Sequence, residues 1–191
     1  MYHGTMRRAV IVHCWGGNPN YAWYPWVKKE LEKEAYTVTV PSMPDTDMPK
    51  EVLWVPKLKE IIGTPDEDLV LIGHSIGCAT IMRYLESLGE DQKVGKVIFV
   101  AGFTDDLGFE EIKNFFQSPI NKEKIKKSVK LGIVAIQSDN DPYVPFSKFK
   151  ETLEAAFDAK VVVKHGAGHM SGPVDNEGSC LELPEVIAEA L

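Results

Sequence analysis

Apolar residues along the chain follow two alternating rhythms. Short β-branched runs occur at Ala9–His13, Tyr36–Val40, Leu69–Ile72, Val97–Ala101, Gly132–Gln137 and Lys160–Lys164. Runs of this length, apolar throughout, read as strands buried on both faces. Between them apolar residues recur at helical spacing. Val27 and Leu31 mark one helix, and Val52, Val55, Leu58, Ile61 and Ile62 a second, which Pro56 kinks or delays. Ile76–Leu88 is a third, closed by Gly89, followed by Ile120–Val129 and Pro145–Phe157. Leu183–Leu191 is the last, with Pro184 in its first turn. Strands alternating with helices predict an α/β fold: a central, mostly parallel sheet of about six strands with helices on both faces.

The 191 residues fit one domain spanning 1–191, with residues 1–6 expected to be a frayed leader. The formal net charge of -7 argues against nucleic acid as a partner, since phosphate binding needs a basic face. The lysines at 122, 124, 126, 127 and 130 read as a solvated helix face. Cys14, Cys78 and Cys180 are odd in number and lack C-x-x-C spacing. That argues against a disulfide framework or zinc and suits a reducing, cytoplasmic setting. No run reaches the roughly 18–20 apolar residues that span a bilayer, so no membrane partner is expected.

In parallel sheets the reactive groups sit on loops at the carboxyl ends of strands. The third strand runs into Gly73-His74-Ser75-Ile76-Gly77 and then at once into a helix. That is G-x-S-x-G in its strand–turn–helix context, where a sharp turn lifts the serine hydroxyl above the sheet. Ser75 is the candidate nucleophile. The Ile76 N–H opens the helix and is a candidate oxyanion donor. After the fifth strand come Asp139 and Asp141, either of which could orient a histidine; Asp141, followed by Pro142, is favoured. After the sixth comes His165-Gly166-Ala167-Gly168-His169, where His169 is the candidate base and His165 its rival. The two histidines do not read as a metal pair, because the glycines between them oppose the helix that pair would need. Chain order Ser75, Asp141, His169 is that of an α/β-hydrolase.

The first loop, Cys14-Trp15-Gly16-Gly17, should supply the second oxyanion N–H. Trp15 is preferred and Cys14 is the alternative. Cys14 as a thiol nucleophile lacks an implied histidine and acid, and Cys78 reads as core. Aromatic residues in the bordering loops suggest an apolar substrate site: Trp15, Tyr21, Trp23, Phe103, Phe109 and Tyr143. Residues 103–119 are the one lid candidate, with Phe115 and Phe116 placed to cover the mouth.

Several segments resemble the retinoblastoma-binding protein 9 type of small serine hydrolases. They are residues 23–33, Met43-Pro44-Asp45, Trp54-Val55-Pro56, Gly73-His74-Ser75, residues 103–108 and Asp141-Pro142-Tyr143-Val144-Pro145. The resemblance implies an α/β-hydrolase with no large cap domain and with Ser75, Asp141 and His169 as its triad. Its Asp-Pro match raises Asp141 over Asp139. That family's retinoblastoma partner is tied to an L-x-C-x-E motif. The comparable stretch here, Ile61 to Glu67, lacks the cysteine, so that partner is not carried over. The expected activity is hydrolysis of a small carboxylic ester, without metal or organic cofactor. Small amides or aminoacyl derivatives, a related acyl transfer and a non-catalytic interaction scaffold are the alternatives.

Overall fold

The β-branched runs form strands and the helical runs form helices, in strict alternation. The elements are β1 (Arg8–Val12), α1 (Tyr24–Lys33), β2 (Thr37–Thr39), α2 (Glu51–Ile62), β3 (Leu69–His74) and α3 (Ile76–Glu86). There follow β4 (Lys96–Val100), α4 (Lys122–Lys127), β5 (Ile133–Ser138), α5 (Phe146–Phe157), β6 (Lys160–Lys164) and α6 (Pro184–Ala190). This is a computed structural model, and it describes residues 7–175 and 177–191. The leader expected over residues 1–6 lies outside the described residues.

All six strands pair in parallel, in the order β2-β1-β3-β4-β5-β6. Successive side chains on a strand point to opposite faces, and the two cores divide accordingly. Ala9, Ile11, Val70, Ile72, Ile98, Val100, Val134 and Ile136 pack under α1 and α6. Val10, Val12, Leu69, Leu71, Val97, Phe99, Ile133 and Ala135 pack under α2, α3, α4 and α5. The chain builds outward from β1 to β2, then returns to lay β3 on the other side of β1. This reversal opens a crevice at the carboxyl ends of β1 and β3, where open α/β sheets bind ligands.

Three elements differ from the sequence expectation. β3 continues past Ile72 because Gly73 and His74 still pair with Phe99 and Val100 of β4, so the strand runs straight into Ser75. The fourth helix shrinks to Lys122–Lys127, where the Asn121 side chain caps the Lys124 N–H at 3.1 Å. Two of its expected basic cluster are neutralised: Lys126 pairs with Glu123 and Asp158, and Lys130 with Glu67. Residues 103–119 are pinned to α3 rather than free to swing. Buried Arg83 donates through Nε to the Phe115 carbonyl at 2.8 Å and through Nη2 to that of Ser118. Phe115 itself is fully buried against Trp54 instead of covering the mouth. Among the described residues, no helix is long and apolar enough to cross a membrane.

Pro56 neither kinks α2 to an end nor delays it; the helix runs through it. The proline is exposed, as is Val52 one turn earlier, whose carbonyl loses its N–H partner to the ring. Water can take that bond, so the helix survives at a cost. Pro56→Ala should restore the N–H and raise stability by about 1–3 kcal/mol in urea unfolding. An unchanged or lowered midpoint would contradict this account.

Candidate active site

Ser75 sits between β3 and α3 with φ 55° and ψ −121°. That backbone is sparsely populated for a residue with a side chain and costs about 1–3 kcal/mol. Two glycines make the turn possible. A Cβ on Gly73 would stand 2.8 Å from Cys78 N and Cα, and one on Gly77 would strike the Val12 carbonyl oxygen. Two hydrogen bonds clamp the turn: the Ser75 N–H donates to Val100 O, and the Cys78 N–H to Ser75 O, each at 2.9 Å. The strain is held by the surrounding strands rather than relieved.

The loops after β5 and β6 carry two Asp–His pairs. His169 Nδ1 meets Asp141 Oδ2 at 2.8 Å. The Asp141 side chain is wholly shielded from solvent. Its Oδ1 accepts the N–H groups of Tyr143 at 2.9 Å and Val144 at 3.0 Å. A buried carboxylate so satisfied can orient a histidine and stabilise its imidazolium. His165 Nδ1 meets Asp139 Oδ2 at 2.6 Å, but that histidine points into solvent. The Gly166 N–H donates to Asp139 at 2.8 Å; this bond first, and His165 second, holds that carboxyl below its usual range. Asp139 thus organises the turn after β6 and does not line the serine's cavity. The two histidines answer to different carboxylates and do not converge.

Ser75 and His169 open on one cavity of about 200 Å³. Trp15, Ile76, Phe103 and Tyr143 line it, together with Cys14, Leu107, Phe109, Ile112 and Asp175. Tyr143 stands edge-on to the His169 ring at 5.2 Å and donates its hydroxyl to Asp175 at 2.7 Å. That bond is the main cause raising the phenol to about 12. Among the described residues, the Trp15 and Ile76 N–H groups have no hydrogen-bond partner, which leaves both able to receive an oxyanion. The Cys14 N–H is not available for that role, because it donates to the Tyr24 hydroxyl at 3.0 Å. Burial pushes the Cys14 thiol up to about 11, so it stays protonated and is a poor nucleophile.

Two expected substrate residues lie elsewhere. Trp23 is fully buried, edge-on to Tyr24 at 4.6 Å and tilted against His74 at 5.6 Å. Its large apolar ring serves the core under α1. Tyr21 does not line the cavity; its hydroxyl donates to the Ser171 carbonyl and braces the loop that carries His169. Asp175, Leu107 and Ile112 were not singled out by sequence. Only the proximity of Leu107 and Ile112 to Phe103 in the chain hinted at them.

Behind the serine lie two buried histidines. His74, fully buried, has Nδ1 2.7 Å from the Tyr24 hydroxyl and Nε2 2.9 Å from the His169 carbonyl. Burial, reinforced by His169, pushes it down to about 3. His13 Nδ1 lies 2.8 Å from the Cys14 carbonyl, and its Nε2 accepts the Met43 N–H at 3.1 Å. Burial lowers its pKa as well.

The chain matches known proteins over most of its length. The family model described as Serine hydrolase covers residues 9–177. YdeN of Bacillus subtilis (strain 168) is 31% identical over 173 residues, 90% of this chain and 88% of that protein. Serine hydrolase RBBP9 of Rattus norvegicus is 33% identical over 167 residues, 85% of this chain and 86% of that protein. The crystal structure of the ydeN gene product from B. subtilis superposes with a TM-score of 0.87 at 28% identity, covering 96% of this chain and 98% of that one. Est1E from Butyrivibrio proteoclasticus, in a structure with ferulic acid bound, shares the fold at a TM-score of 0.69 and 14% identity, covering 96% of this chain and 85% of that one.

The neutral histidines make a prediction about acid. The folded pKa of His74, about 3, lies below its ordinary 6.5. Between those values the unfolded chain takes up a proton that the folded chain refuses. Stability present above pH 6.5 is therefore lost as pH falls toward 3. Urea unfolding should show about 2 kcal/mol lost between pH 7 and pH 5 from this group alone. His74→Gln should flatten that slope. Equal slopes in the two proteins would refute the assignment.

Proposed function

This chain belongs to the serine hydrolase family, and from that premise we propose that it hydrolyses small carboxylic esters through an acyl-enzyme on Ser75. The observation that carries the reading is the shielded His169–Asp141 pair opening on the same cavity as the strained serine. Ser75 Oγ attacks the ester carbonyl while its proton passes to His169 Nε2. The tetrahedral oxyanion is received by the N–H groups of Ile76 and Trp15. The His169 proton moves to the departing alkoxide, which leaves as an alcohol. Water then attacks the acyl-enzyme, gives its proton to His169, and the acid is released as Ser75 recovers its proton. Asp141 holds the tautomer throughout.

The cavity supports a short, apolar acyl group. At about 200 Å³ it is smaller than the roughly 300–1,000 Å³ typical of drug-sized ligands. Its walls are aromatic and aliphatic, and the pinned segment 103–119 supplies Phe103, Leu107, Phe109 and Ile112. Asp175 favours a second reading, an aminoacyl ester or amide, because it offers a carboxylate to an ammonium group inside that cavity.

Ser75→Ala should abolish p-nitrophenyl acetate hydrolysis and fluorophosphonate labelling while the circular dichroism spectrum stays native. Asp141→Asn should lower kcat by roughly three to four orders of magnitude, and Asp139→Asn should leave it near wild type. A native Ser75→Ala protein that still turns over, or a crippled Asp139→Asn, would overturn the assignment. An unlabelled wild type would point to a scaffold instead.

A panel of p-nitrophenyl esters should show kcat/KM highest for acetyl to butyryl chains and lower by at least about tenfold for dodecanoyl. Aminoacyl anilides outrunning all simple esters, with the advantage lost in Asp175→Asn, would establish the second reading.

A further inference from the structure

We propose that Tyr24 and His74 are positioning residues that couple the oxyanion-donor loop after β1 to the histidine loop after β6 through a one-way chain of buried hydrogen bonds. The inference rests on the reading of Ser75, His169 and Trp15 given above.

The polarity of the chain follows from its ends. The Cys14 N–H can only donate, and it reaches Tyr24 Oη at 3.0 Å. The one hydroxyl proton of Tyr24 is then directed at His74 Nδ1, 2.7 Å away. At the far end the His169 carbonyl can only accept, so His74 Nε2, 2.9 Å from it, carries the proton. Both ends demand the same neutral tautomer, with Nδ1 bare and Nε2 protonated. The opposite tautomer would set a bare Nε2 against the His169 carbonyl, a buried acceptor facing an acceptor.

Each end bears on a group the reaction needs. Cys14 is held on both sides of its Cα. Its N–H goes to Tyr24, while its carbonyl accepts from Gly17 N–H at 3.1 Å and from His13 Nδ1 at 2.8 Å. The Cys14 carbonyl and the Trp15 N–H belong to one planar peptide and point in opposite directions. Fixing the carbonyl therefore aims the Trp15 N–H. At the other end, His169 is gripped at its carbonyl by His74, at its N–H by Glu177 and at its ring by Asp141. The residue before the nucleophile thus joins both halves of the acyl-transfer apparatus from behind. A purely packing role for Tyr24 needs its ring against Trp23 and His74, and it needs no hydroxyl.

Tyr24→Phe separates these roles, because the ring stays and the oxygen goes. The expected result is a fall in kcat on the order of tenfold to a hundredfold with KM within about twofold. The rate ratio of an ester to its thionoester should also fall, since sulfur accepts oxyanion-type hydrogen bonds poorly and gains little from an aimed Trp15 N–H. Tyr84→Phe is the control. It removes a buried hydroxyl, unpartnered among the described residues, and should leave both readings at wild type. In the unsubstituted protein, nitrogen-15 NMR should find His74 neutral and protonated at Nε2 from pH 5 to pH 8, a readout independent of how Tyr24→Phe folds. Wild-type kcat and ester ratio in Tyr24→Phe, or His74 protonated at Nδ1, would overturn the coupling while fluorophosphonate labelling of Ser75 stands. Absence of that labelling in the wild type would instead remove the catalytic reading, and the coupling with it.

Discussion

Gly77 lies so close to the Val12 carbonyl that a single added carbon would strike it, and Gly73 lies nearly as close to Cys78. Those two approaches let β3 turn into α3 within one residue, and they force Ser75 to φ 55°. Much of the site hangs from this turn. It presses the end of β1 against the start of α3, which brings the Trp15 loop beside the serine. It also starts α3 at Ile76, which borders the cavity, and a helix N-terminus favours developing negative charge. The local strain persists because parallel strands on both sides hold the turn's backbone groups, with Val100 taking the Ser75 N–H.

The second organising feature is the division of carboxylates. Asp139 and Asp141 are two residues apart, and each has a histidine. Solvent separates their chemistry. Asp141 is enclosed and bonded to the N–H groups of Tyr143 and Val144, so its charge is held in place and directed at His169. Asp139 is spent on an outward turn with Gly166 and His165. The cavity that His169 opens on is lined by apolar side chains and by Asp175. A low-dielectric wall strengthens every charge interaction inside it, and this is the physical basis of the proposed aminoacyl reading.

Much of the architecture was legible in the chain. Buried parallel strands need apolar residues on both faces, so they stand out as unbroken β-branched runs, and helices carry their own period. Strand ends and helix ends were less legible where pairing or capping decided them. Gly73 and His74 remain in β3 only because β4 has partners for them, and the basic helix starts late, at Lys122, where the Asn121 side chain caps it. Pro56 broke no helix because it and Val52, whose carbonyl it orphans, lie on the exposed face of α2, a fact of orientation that composition does not record.

For the candidate site, the sequence by itself determined which loops hold the serine, the acid and the histidine. The turn glycines, the serine, the Asp-Pro and the Gly-His pair are local patterns with local causes, and the strand order places them at one edge. Tertiary structure decided everything that depends on distance between loops. It sent Trp23 to the core and Tyr21 to the back of the histidine loop, brought Asp175 and Ile112 into the cavity, and joined Tyr24 to His74 across fifty residues. These contacts have no signature in the neighbouring sequence, because a buried polar group is satisfied by whichever partner the fold brings within reach.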